Sequence, residues 1–263
     1  MLTAALLYLA VGVVTGILAG LLGVGGGLVI VPSLVFGFRL LEYPDHLIMH
    51  LAIGTSLASI IGTSLASIRA HHRRGAVRWP AVARLTPGIL AGSLMGAAVA
   101  GNLPGTGLRT LFGLFALGVA AQLALDLKPS AHSELPGWPG MTLAGTSIGL
   151  ISALVGIGGG SMTVPFLAWN RVPMREAVAT SAACGLPIAL AGALGYWISG
   201  AGQTDLPAYS SGYIHWPACL GILATSTLFA GYGAHLAHRL PTATLKRVFA
   251  LLLAGIGLHL LLG

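Results

Sequence analysis

Apolar residues in this chain run in long blocks, and polar positions are confined to the gaps between them. The long blocks cover Leu2–Leu22, Leu47–Ile68, Ala81–Ala100, Gly107–Leu125, Met141–Ile157, Ala177–Ser199, Pro217–Ala237 and Thr244–Leu262. Each is near the roughly 20 residues a helix needs to cross a bilayer core, so each is predicted to be a membrane helix. Two shorter blocks, Gly27–Phe38 and Ser161–Trp169, each follow a cluster of glycines. At about 1.5 Å per residue, a twelve-residue helix reaches about 18 Å against a hydrocarbon core of roughly 30 Å. These two are expected to be half-helices or arms of shallow hairpins.

The blocks fall into two matching sets. Gly23-Val-Gly-Gly-Gly-Leu-Val-Ile-Val-Pro32 aligns with Gly156-Ile-Gly-Gly-Gly-Ser-Met-Thr-Val-Pro165. Ala52-Ile-Gly-Thr-Ser56 aligns with Ala177-Val-Ala-Thr-Ser181, and Trp79-Pro80-Ala81 with Trp216-Pro217-Ala218. Leu103-Pro104, Leu108, Arg109 and Phe112 align with Leu240-Pro241, Leu245, Lys246 and Phe249. Ordered matches of this kind mark an internal duplication. The expected organisation is a first transmembrane repeat at 1–127, a connecting loop at 128–140 and a second transmembrane repeat at 141–263.

Loop charges distinguish a parallel from an inverted pair. If each short block counts as a crossing, the number per half is odd and the second half is inverted. With Arg69–Arg78 placed in the cytoplasm, inversion puts Arg69, Arg73, Arg74, Arg78, Arg84, Lys128, Arg171, Arg175, Arg239, Lys246 and Arg247 inside, and only Arg39 and Arg109 outside. The parallel arrangement moves five of these outside, a split of six to seven. Basic residues concentrate in cytoplasmic loops, which favours inversion with both termini outside. The fold class expected is therefore all-α: a polytopic membrane protein of two inverted repeats, each with four long helices and one half-helix.

Composition agrees with a bilayer as solvent. Of 263 residues, 56% are hydrophobic and only 7% charged, against about 25% charged in a soluble domain. The 39 glycines suit helices whose backbones approach closely. A formal charge of +7 is read as topology signal, since no basic helix or aromatic stacking platform points to nucleic acid. Met1–Leu22 lacks a basic leading region and is read as a first membrane helix, not a cleavable signal. Cys184 and Cys219 lie in separate apolar blocks and read as small buried hydrophobes.

The candidate chemistry lies at the glycine clusters. Consecutive glycines let the helix break, and broken backbone at membrane depth belongs inside protein or along a cavity. A helix start beyond the break offers free N–H groups and the positive end of its dipole. Gly25, Gly26 and Gly27 with Gly158, Gly159 and Gly160 are thus candidate anion ligands, or glycines that only permit close packing. Ser161 and Thr163 replace Leu28 and Ile30 of the first copy. Their hydroxyls donate to a bound anion or bond to the preceding turn. Thr55-Ser56 and Thr180-Ser181, near the starts of long blocks, are read as caps, interhelical partners or substrate ligands. Pro32 and Pro165 are expected to end or kink the short helices. Gln122 and His259 are equivalent polar positions in the last helix of each half, for interhelical bonding or proton relay.

All six acidic residues lie in loops or at membrane ends, which weakens cation transport and suits an anion. His50 and His259 remain as titratable groups. No dinucleotide fingerprint, phosphate loop, serine-hydrolase elbow or metal-ligand spacing appears, so no cofactor, metal or catalytic residue is expected.

The doubled Gly-x-Gly-Gly-Gly…Pro pattern at Gly23–Pro32 and Gly156–Pro165, each after an apolar helix, resembles the TauE/SafE, or sulfite exporter, family of membrane proteins. The likeness extends to length and duplicated layout over nearly the whole chain. It implies a carrier of sulfite, sulfonates or related sulfur-containing anions in a prokaryotic inner membrane. The reading is a secondary transporter of a small anion, surrounded by membrane lipid, with a homo-oligomer compatible. An anion channel is the alternative of the same class. An intramembrane enzyme or membrane assembly partner is the alternative from another class.

Overall fold

The computed structural model describes residues 2–22, 26–125, 134–237 and 242–262. The described residues form ten helices and one two-stranded hairpin. In chain order the first half contains α1 (Leu2–Leu22), α2 (Gly27–Leu40), α3 (Asp45–His72), α4 (Trp79–Asn102) and α5 (Gly105–Ala124). The second contains α6 (Trp138–Val155), α7 (Gly160–Trp169), α8 (Met174–Ser199), β1 (Ser210–Ser211), β2 (Ile214–His215), α9 (Trp216–Ala237) and α10 (Thr242–Leu262). The chain is all-α and polytopic: α3, α4, α5, α6 and α8 are long and apolar enough to cross a membrane. The hairpin pairs Ser210 with His215 and Ser211 with Ile214.

Prolines set several helix starts. Pro44, Pro104 and Pro173 precede α3, α5 and α8 with extended ψ values of 122°, 152° and 139°. A proline there has no N–H to leave unpaired and ends the incoming strand-like segment cleanly. Asp45 and Glu176 stand in the first turns of α3 and α8, where the dipole favours a negative charge. Arg69, His71 and His72 close α3 at its negative end. Pro32 and Pro165, expected to end or kink the short helices, lie inside α2 and α7 and do not end them. Each helix continues past its proline, at the loss of one internal hydrogen bond.

Glycine ladders fix the packing. A Cβ added to Gly88, Gly92 or Gly96 of α4 would collide with backbone at Thr142, Thr146 or Leu150 of α6. In return Gly145 and Gly149 of α6 admit Leu85, Ile89 and Ser93. These contacts advance together, so α4 and α6 run in the same direction. The same device joins α1 to α9: Gly12 and Gly16 meet Ile222 and Ser226, and Gly221 meets Tyr8. Small residues every fourth position let two backbones touch, the usual way membrane helices pair without a hydrophobic driving force. The first helix of each half therefore packs on the fourth helix of the other.

The central seam has the opposite sense. Gly54 of α3 faces Tyr196 of α8, Leu57 faces Gly192, and Ser64 faces Gly185, so α3 and α8 run antiparallel. Gly113 of α5 meets Leu261 of α10 while Leu117 meets Gly257, again antiparallel. The short helices lean on this seam, α2 against α3 and α7 against α8.

Candidate functional site

The second glycine element is broken backbone. The α6 helix stops at Val155, and Gly156 adopts the left-handed conformation with φ 72°. A side chain there would be strained and would also press on Ile53 and Val31. Residues 157–159 are not helical, and α7 restarts at Gly160. The N–H groups of Gly156 and Ile157 both donate to the Ser152 carbonyl, that of Ile157 at 3.0 Å. The N–H groups of Gly158, Gly159, Gly160 and Ser161 have no backbone acceptor among the described residues, as expected of a helix start. The break sits in the antiparallel seam: Gly158 lies beside Ile60 of α3, and Gly159 beside Ser181 and Ile188 of α8.

The first element meets the second there. Gly26 precedes α2, with its carbonyl accepting from Val29 and Ile30 at 3.0 and 2.9 Å. A Cβ on Gly27 would strike the Gly156 carbonyl and the Ile157 backbone. The start of α2 and the break before α7 are thus in direct backbone contact. Gly25 lies outside the described residues, as does Gly23. Gly27 thus abuts the two residues that immediately precede Gly158, Gly159 and Gly160.

Side chains complete the enclosure. Ser56 Oγ donates to the Gly156 carbonyl at 2.8 Å, tying α3 to the break. The hydroxyls of Ser161, Thr163, Ser181 and Ser152 are buried and have no partner among the described residues. A buried unmatched hydroxyl costs roughly 1–3 kcal/mol. Four such groups around one break are unusual in a settled interior, where polar groups are almost always paired. Thr163 Oγ1 lies 3.0 Å from where a Gly159 Cβ would be, so a side chain there would require the Thr163 hydroxyl to give way. The alternative in which Ser161 and Thr163 bond back to the preceding turn is not what the structure contains.

The two Thr-Ser pairs divide their labour. They lie inside α3 and α8, not at helix starts, since the helices begin at Asp45 and Met174. Thr55 Oγ1 accepts from the His215 N–H at 2.9 Å, and Thr180 Oγ1 accepts from the Arg78 N–H at 3.0 Å. His215 and Arg78 both immediately precede a Trp-Pro helix start, of α9 and α4. The threonines are therefore interhelical clasps at equivalent points of the two halves. Capping of their own helices is excluded, and Ser56 and Ser181 are the members of each pair that border the break.

Beside the Thr55 clasp is a cluster that sequence reasoning missed. His215 is 2% exposed. Its Nε2 faces the Tyr8 hydroxyl at 3.2 Å, its Nδ1 faces Ser210 Oγ at 3.2 Å, and its ring is flanked by Phe38 and Tyr43. Burial pushes its pKa down to about 4, holding the imidazole neutral. The equivalent clasp at the far end is polar: Arg78 pairs with Glu176 at the rim. Only the recurrence of a residue before Trp-Pro hinted at this, since Tyr8, Tyr43 and His215 come from distant segments. His50, a candidate for titration, instead directs Nε2 at the Ala100 and Leu103 carbonyls, at 3.1 and 3.2 Å, where α4 ends.

Comparison with known proteins agrees on one family. The model of the sulfite exporter TauE/SafE family matches residues 8–260. A probable membrane transporter protein of Haemophilus influenzae is 37% identical over 263 residues, covering 100% of both chains. One from Methanocaldococcus jannaschii is 30% identical over 264 residues, covering 97% of this chain and 95% of its own. One from Bacillus subtilis is 27% identical over 276 residues, covering 97% and 96%. No solved structure matches.

Proposed function

The chain belongs to the sulfite exporter TauE/SafE family, and on that footing we propose that it is a secondary transporter moving a small sulfur oxyanion across the plasma membrane. The observation that carries the reading is the break before α7, where the N–H groups of Gly158, Gly159, Gly160 and Ser161 lack acceptors among the described residues and the buried hydroxyls of Ser161, Thr163 and Ser181 lack partners. Donors without acceptors are what a desolvated anion requires. Among the described residues, no acidic side chain is a nearest neighbour of Gly156, Gly158 or Gly159. Sulfite and organosulfonates suit this donor set by charge, and the family's name points the same way.

The halves 1–127 and 141–263 are read as inverted repeats. The antiparallel course of α3 against α8 and of α5 against α10 supports this, because each pair joins corresponding helices. In this frame Arg69, Arg73, Arg74, Arg78, Arg84, Arg171, Arg175 and Arg247 share the cytoplasmic end, and both termini face outward. Alternating access follows from inverted halves around a midplane site. The moving units are not the sequence halves, since α1–α9 and α4–α6 interlock across them. Each interlocked pair would travel as one body, with the seam between α3 and α8 opening first to one side and then to the other.

The test is uptake of sulfite, sulfoacetate and taurine into vesicles containing the purified protein. Saturable flux lost in a Ser161→Ala, Ser181→Ala double variant is the expected result. Flux that neither saturates nor responds to the double variant would indicate a channel, and chemical turnover without movement would indicate an enzyme.

A further inference from the structure

Between α2 and α10 lies a groove of about 470 Å³ on the outside of the bundle. This is within the roughly 300–1,000 Å³ of small-ligand sites. Its floor and walls are apolar, with Pro32 and Phe36 on α2 and Leu252 and Gly255 on α10. At one end stand Arg39 and His259. Both helices end on the same side of the molecule. The α2 helix leads into α3 there, and the α10 end lies beside Gly113 of α5, whose own start at Gly105 rests on His46 of α3. From Leu251 to His259 the groove follows eight helical steps, about 12 Å, less than half of a roughly 30 Å hydrocarbon core.

We propose that this groove seats one acyl chain of an anionic phospholipid, whose phosphate is held by Arg39 and His259. Three observations select the occupant. The groove opens where lipid tails lie, so a small hydrophilic oxyanion would gain nothing from its walls. Arg39 is exposed and has no carboxylate partner among the described residues, leaving its planar fork free for phosphate. The charge is also particular to this half. The matching positions in the other half hold Val172 and Gln122, so the basic rim is not inherited from the duplication. In the inverted topology this rim lies at the outer face, where an Arg guanidinium pairs with a lipid phosphate by the same bidentate geometry. A lipid there would brace the outer face of α2, the helix whose first turn abuts Gly156.

The experiment is native mass spectrometry of the detergent-released protein, titrated with phosphatidylglycerol and with phosphatidylcholine of the same acyl chains. A preference for phosphatidylglycerol is expected, reduced about fivefold by Arg39→Gln and kept by Arg39→Lys. Nothing lies within 4 Å of a Cβ on Gly255, so Gly255→Leu fills the groove without a packing clash and should abolish retention of both lipids. Equal preference in wild type and Arg39→Gln overturns the proposal, as does undiminished retention in a folded Gly255→Leu protein. A homodimer cross-linked through Phe36→Cys, with the groove covered by a second copy, overturns it too. If Gly255→Leu does not fold, the Arg39 pair decides alone.

Discussion

Replacing Thr163 by valine separates a ligand hydroxyl from a structural one. Thr163 is fully buried and its Oγ1 has no partner among the described residues. Valine has nearly the same shape, so the change removes a hydroxyl and little packing. Relieving a buried unmatched group should stabilise the ligand-free protein by roughly 1–3 kcal/mol. At about 2–4 °C per kcal/mol, the melting temperature should rise by several degrees. Binding should move the other way. A hydrogen bond to a charged group contributes about 1.5–3 kcal/mol, so sulfite affinity should fall by at least about tenfold. At a sulfite concentration of about 100 Kd the wild type gains roughly 2.7 kcal/mol, and the variant should gain only about half of that. Thermal unfolding of the solubilised protein with and without sulfite reads both numbers at once. A variant that melts lower than wild type and keeps the full sulfite shift would refute the assignment, because the hydroxyl would then be serving the fold.

Other outcomes follow from the same contacts. Thr55→Val strips the acceptor from a buried N–H and should cost about 1–3 kcal/mol; Thr180→Val, whose donor is only part-buried, should cost less, and chemical denaturation compares them. Gly92→Leu drives a side chain into the Thr146 carbonyl and should abolish monodisperse protein, whereas Gly118→Ala, with open space around it, should be neutral or stabilising by up to about 1 kcal/mol. With the His215 pKa lowered to about 4, the unfolded chain binds the extra proton first. Stability is then complete above about pH 6.5 and declines as pH falls toward 4, by up to about 3 kcal/mol. His215→Gln should flatten that acid limb in melting curves taken from pH 7.5 to 4.5.

Much of the architecture could be read along the chain because a bilayer punishes any other pattern. Every backbone group must bond within its own helix, and every outward face must be apolar, so α1 occupies the expected Leu2–Leu22 and α7 starts one residue before the expected Ser161. The second glycine cluster was visible because the left-handed turn at Gly156 favours glycine and a side chain there would also press on Ile53 and Val31. What stayed hidden is pairing between distant segments. Thr55 and Thr180 read as caps, interhelical partners or ligands until their donors, His215 and Arg78, came into contact with them. The prolines could be read as ending or kinking the short helices, and packing of α2 and α7 on the seam carries each helix through its proline. The recurrence of Gly12 and Gly16 as Gly145 and Gly149 carried no sign of which helix each ladder would face, since close approach demands small residues whatever the partner.

The exchange of first helices between halves has a consequence for biogenesis. As α1 emerges from the ribosome, the surface that Gly12 and Gly16 are shaped to receive has not been synthesised, and α9 follows only after everything between them. The glycine face of α1 must wait unpartnered in the lipid or the insertion machinery, with cleavage and quality control as hazards. Neither half, expressed alone, would own a complete set of interfaces. Two separately encoded halves should each be degraded, and should persist in the membrane only when made together.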